Sequence, residues 1–303
     1  MTLRDIVVAT LPPALWAITY VIAKPATAHF PPMFLVGMVY ALTAAMLVRP
    51  WRRWRTPFAT LLACATLGGA VQSAFIYCGI ARVPASMTIL VVQSQVPFAV
   101  LAAWAFGQEQ LNPRRLAGIA VALAGIALVV GFPDALGETG GLMLIIIGTA
   151  SWGAAQGLIR ARSKDTGSEL MGAIALLAAP QLLVFSFFLE SGQVAAVTGA
   201  GWIDWAMVLV LAFGGYALPY SIWYGLLRRY RVDQIAPFAL LMPITGVLAS
   251  AAFLGERPSF VSLLGGIVIL LGLALVVGLP EGQRRKEDPG AHPRAEPANK
   301  AGN

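Results

Sequence analysis

The chain has 303 residues, 58% of them hydrophobic and only 12% charged, with a net charge of +7 and a mean hydropathy of +0.75. That balance excludes a soluble globular domain, in which roughly a quarter of residues are charged. A pI near 9.8 would suit nucleic acid, but the cations flank apolar runs instead of forming a patch, so no nucleic-acid partner is expected.

In chain order, apolar runs occur at Ile6–Ala23, Pro32–Val48, Pro57–Ala81, Pro84–Gly107, Arg115–Gly131, Gly141–Ile159, Glu169–Leu189, Asp204–Leu227, Val232–Leu254 and Ser259–Leu279. Each is near the length a helix needs to cross a bilayer. The expectation is an all-α integral membrane protein of ten transmembrane helices joined by short loops. The first run lacks the layout of a cleaved signal and should stay as an anchor. Glu281–Asn303, rich in Pro, Gly and charge, should be a disordered cytosolic tail. With the N-terminus in the cytosol, 18 of the Lys and Arg residues fall inside and three, Lys24, Arg82 and Arg257, fall outside. This bias predicts a multi-pass protein of the bacterial cytoplasmic (inner) membrane with both termini cytosolic.

Few residues suit chemistry. Cys64 and Cys78 lie 14 apart in one predicted helix, about 21 Å along its axis and beyond disulfide reach. His29 and His292 are the only histidines, so neither a metal site nor a cofactor is expected. No nucleophile–base pair or phosphate loop is present, and an enzyme is not expected.

The chain repeats itself. Trp16, Tyr20 and Lys24 follow one another at spacings of four, as do Trp152, Gln156 and Arg160, which puts each trio on one helix face. Each indole lies 12 residues from the nearest membrane edge, at Arg4 or Gly140, about 18 Å deep and near mid-bilayer. Phe106, Glu109, Gly118, Gly125, Gly131 and Pro133 recur 147 residues later as Phe253, Glu256, Gly265, Gly272, Gly278 and Pro280, and Gly68-Gly69 recurs as Gly214-Gly215. An insertion near Gln193–Trp202 absorbs the change of offset from the earlier pair. Five spans separate equivalent points. Two five-helix repeats, residues 1–135 and 136–280, should therefore be inverted, with a site at mid-depth between them.

Tyr220–Tyr230 (YSIWYGLLRRY), Ile235–Pro243 (IAPFALLMP) and Leu254-Gly-Glu-Arg257, together with Trp16–Lys24, make the chain resemble the EamA family of the drug/metabolite transporter (DMT) superfamily across Arg4–Leu279. These stretches look similar to the bacterial exporters of O-acetylserine and cysteine in that family. The resemblance implies a five-plus-five helix arrangement and export of small metabolites. Where many members carry an arginine in the second span, this chain has Val39, so any polar contact made there is lost or replaced.

Amides at membrane depth are costly unless they meet a partner or water. Gln72, Gln93, Gln95, Gln156 and Gln181 qualify. Gln93 is preferred over Gln95 because Pro97 removes the hydrogen bond to its carbonyl, which would offer a free acceptor beside the amide. Pro219 and Pro243 stand in the same relation to Gly215 and Ala239. Tyr216, Tyr220 and Trp223, at i, i+4 and i+7, form an aromatic stripe that Trp16, Tyr20 and Trp152 extend. Such walls suit amphipathic solutes and stack over ammonium groups. The expected substrate-binding residues are Trp16, Tyr20, Gln72, Gln93, Trp152, Gln156, Tyr216, Tyr220 and Trp223. Gln95 and Gln181 are expected to serve structure. Trp51, Trp54, Trp202 and Trp205 read as interfacial belt residues, and Lys24 and Arg160 as snorkelling anchors at helix ends.

Every carboxylate falls near a helix end. Glu109 and Glu256 are expected to cap or pair there, with titration at a mouth as the other role. The Gly118–Gly125 and Gly265–Gly272 registers predict close helix packing, as a scaffold or a dimer face. The expected function is alternating-access export of an amino-acid-like metabolite by a monomer or homodimer in membrane lipid. The alternatives are efflux of drugs or quaternary-ammonium compounds and a non-transporting scaffold.

Overall fold

The computed structural model describes residues 2–48, 54–108, 110–131, 138–165, 167–227, 229–230 and 235–277. The predicted tail 281–303, Glu109 and Trp51 lie outside them. The described residues contain no strand. In chain order the main helices are α1 Leu3–His29, α2 Pro32–Leu47, α3 Phe58–Ile80, α4 Ala85–Ala105, α5 Pro113–Gly131, α6 Glu138–Arg162, α7 Ser168–Leu189, α8 (202–227), α9 (236–254) and α10 Phe260–Val277. A short helix, Gln193–Gly199, fills the predicted insertion. Among the described residues nine helices are long and apolar enough to cross a membrane, while α2, with 16 residues, is shorter.

The boundaries follow the apolar runs within a few residues, with one exception. α1 does not stop at Ala23 but continues through Pro25 to His29. Lys24 therefore lies inside the helix and not at its end, because a proline costs one backbone bond without stopping a helix that neighbours support.

Two pairs of helices pack along their length. A Cβ built on Gly118 would lie 2.8 Å from the Gly272 carbonyl oxygen, and one on Gly125 2.8 Å from that of Gly265. Partner numbers fall along α10 as they rise along α5, so the pair is antiparallel. The predicted glycine registers thus meet each other within one chain. α2 and α7 pair likewise, with Gly37 against Leu183 and Gly172 against Leu47. The remaining helices form two groups. α6 packs chiefly on α3 and α4, and α1 chiefly on α8 and α9.

Each group contains one helix with a π turn. In α3 it spans Thr66–Val71 around Gly68-Gly69; in α8 it spans Leu211–Ala217 around Gly214-Gly215. An inserted residue of this kind rotates the remainder of the helix by about 100°, and the missing Cβ lets a neighbour approach. Ala155 lies over Gly68, and Thr19 over Gly215. Carboxylates hold the backbone around helix starts. Glu190 accepts from the N–H groups of Met33 and Phe34 in the first turn of α2, and Asp165 from those of Arg55 and Thr56 in the turn before α3.

Candidate functional site

The aromatic stripe on α8 meets α1. The Trp16 ring lies edge-on to Tyr220 and Trp223, with centroids 5.3 and 5.5 Å away. Tyr216 stacks on Tyr220 at 6.3 Å with planes 10° apart. Ring pairs of this kind contribute about 0.5–1.5 kcal/mol each beyond burial. Tyr216 sits inside the π turn, where the altered register brings it to α2, and Tyr40 lies 4.9 Å from it. Tyr40 and Tyr77 belong to one buried cluster, against which Tyr20 and Tyr216 pack. Four helices, α1, α2, α3 and α8, thus converge on a wall of indoles and phenols.

Polar contacts order that wall. Ser73 donates to Gln72 Oε1 at 2.9 Å, which leaves its oxygen to accept the Tyr40 hydroxyl at 3.0 Å. The relay Tyr40–Ser73–Gln72 joins α2 to α3. Among the described residues four buried side-chain polar atoms have no hydrogen-bond partner: Trp16 Nε1 and the Tyr77 hydroxyl at the wall, and Gln93 Oε1 and Gln108 Oε1 away from it. An unmet polar atom costs about 1–3 kcal/mol, so such atoms mark places where water or a solute belongs.

The expected residues divide into two sets. Trp16, Tyr20, Tyr216, Tyr220 and Trp223 come together, and Gln72 joins them through Ser73. Trp152, on α6, lies instead against Gly68, its ring carbons 3.3 Å from the position a Cβ would take there. Gln156, one turn further along α6, is half-buried. Gln93 is 2% exposed on α4. Its carbonyl is not free, contrary to the sequence expectation. Val96 N–H reaches it at 3.1 Å, because the chain tightens to i to i+3 bonds at residues 93–96, ahead of Pro97. Pitch also changes before the other two prolines, with a 3₁₀ turn at Ala236–Leu240 and the π turn before Pro219.

Other residues have structural roles. Gln181 accepts from Thr66 and donates to the Leu177 carbonyl, tying α7 to α3. Glu256 caps α4 through Ala85 and Ser86. Trp202 is 80% exposed, whereas Trp205 leans on Phe30. Val39 is fully buried in the apolar core. Sequence reasoning missed Tyr40, Ser73 and Tyr77. The available signal was a pair of lone tyrosines deep in apolar runs, where a phenol needs a partner.

A polytopic bundle with a polar-tipped aromatic wall between its helices has the form of a solute-handling membrane protein. The chain belongs to the EamA-like transporter family, whose model matches residues 4–131 and 139–278. It is 31% identical over 292 residues to a "probable amino-acid metabolite efflux pump" of Escherichia coli K12, covering 91% of this chain and 96% of the relative. A pump of the same description from Salmonella typhimurium is 30% identical, with the same coverage. A crystal structure 18% identical to this chain superposes with a TM-score of 0.59 over 90% of this chain and 97% of the other, which speaks to the fold alone. This is a multi-pass membrane transporter of the EamA type.

Proposed function

We propose that the chain is an inner-membrane exporter of small amino-acid-like metabolites, O-acetylserine and cysteine among them, working by alternating access around the aromatic wall. In this reading α2 is a tenth span, and residues 1–135 and 136–280 are five-helix repeats of opposite orientation. The packing supports that inversion. α5 and α10, like α2 and α7, are repeat equivalents that pair antiparallel. The α6 contacts with α3 and α4 recur as those of α1 with α8 and α9. The charge bias supports cytosolic termini, and the relatives' description as amino-acid metabolite pumps supports the solute class.

The observation that carries the reading is the pair of buried, unpartnered polar atoms at the wall, Trp16 Nε1 and the Tyr77 hydroxyl. A passing solute with donors and acceptors satisfies them transiently and leaves again. Everted membrane vesicles test it directly. Radiolabelled cysteine or O-acetylserine should accumulate saturably above vesicles lacking the protein. Accumulation of cationic dyes alone would replace this reading with drug efflux, and accumulation of neither would favour a non-transporting scaffold.

Drug efflux has one feature in its favour, the Trp16–Tyr220–Trp223 edges, which suit a quaternary ammonium. Against it, Asp165, Glu190, Asp204 and Glu256 all spend their charge on backbone N–H groups at or just before helix starts.

A further inference from the structure

The α3–α4 connection is gripped at both ends by charges from other helices. From α1, Lys24 Nζ donates to the carbonyls of Ile80 (2.9 Å) and Ala81 (3.3 Å), the end of α3. From the turn after α9, Glu256 accepts from the N–H groups of Ala85 (2.7 Å) and Ser86 (2.8 Å), the start of α4. Gly255, at φ +67°, ends α9 in the left-handed region and directs the next residue there. A cation on C-terminal carbonyls and a carboxylate on N-terminal amides are each favourable with respect to the helix dipoles.

The helices joined matter more than the caps themselves. α3 and α4 pack chiefly with α6, and α1 and α9 with each other, the two groups also meeting where α9 lies on α4, Gly246 against Ile89. All four bonds therefore run from one group to the other. The clamp also sits over the aromatic wall, since Tyr77 is one turn before Ile80 on α3 and Tyr20 one turn before Lys24 on α1.

We propose that Lys24 and Glu256 are positioning residues of the transport cycle. Together they latch the α3–α4 turn to the α1/α9 group and close that end of the solute chamber, and their release opens it. The proposal rests on the alternating-access reading but concerns the gate and not the solute.

A cysteine probe tests it without any substrate. Tyr77→Cys, in a chain with Cys64 and Cys78 replaced by serine, reports opening at this end, which the charge bias assigns to the outside. Intact cells are exposed to a membrane-impermeant maleimide. Lys24→Gln and Glu256→Gln should each raise the labelling rate by about tenfold, the population shift expected when a charge-assisted hydrogen bond is lost. Lys24→Arg, which keeps charge and donors, should label near the parent rate. Unchanged labelling in both neutral variants overturns the proposal. So does labelling that rises only where the purified variant has lost its melting transition, since the residues would then hold the fold and not a gate. Failure to transport amino acids would sink the exporter reading and leave the labelling result standing.

Discussion

A buried indole N–H with no acceptor is a cost, and Trp16 carries it among rings that pack well around it. Trp16→Phe keeps most of the ring contact and removes the unmet donor. Its melting temperature should hold or rise, reflecting the relief of about 1–3 kcal/mol, while KM for transport rises severalfold. A lower melting temperature with KM unchanged would mean that the indole serves packing only. Asp165 is the contrasting case, a loop carboxylate whose polar partners are all in place. Burial pushes its pKa up, but hydrogen bonds from Arg55 and Thr56 and the Arg55 charge outweigh this and hold it below the ordinary value. Stability from this group is present above the usual Asp range, about 3.9, and is lost as pH falls through the lowered native value. Asp165→Asn should melt lower than the parent at pH 7, with the gap closing below about pH 4. The stripe on α8 was legible in the sequence because its residues share one helix. Tyr40 and Tyr77 were not, because their neighbours come from other helices and leave no spacing to read.

Among elements, glycine positions separate packing from permissiveness. A Cβ at Gly272 would collide with the Ala122 backbone and lie 2.7 Å from the Gly118 carbonyl oxygen, whereas one at Gly225 meets nothing within 4 Å. Gly272→Ala should destabilise the purified protein by roughly 1–3 kcal/mol. Gly225→Ala should be neutral or up to about 1 kcal/mol stabilising. Equal melting shifts would contradict the α5–α10 seam. Helix existence was readable from run length, and close packing at the glycines from their seven-residue spacing, but not that the two registers would meet each other. The π turns and the tightened turn at Gln93 were not. A glycine pair or a proline signals that pitch can change, but which carbonyl finds a new donor depends on the three-dimensional neighbours.

For the whole molecule, the count of spans and the side of each terminus belong together. An even number with a cytosolic start requires a cytosolic end. Alkaline phosphatase fused at the C-terminus should therefore be inactive, and a fluorescent protein fused there should glow. The opposite result would leave an odd number of spans and remove α2 from the membrane. Charge counting supplies this expectation from the sequence, since Lys and Arg distribution is a property of loops and needs no contacts.

The seam between α5 and α10 has one more consequence. Gly118 meets Gly272 while Gly125 meets Gly265, so glycine faces glycine at two levels. With no side chain on either strip, neither backbone can yield alone. A larger side chain entering one strip demands retreat of the other, so variation along this stretch should come as coupled pairs.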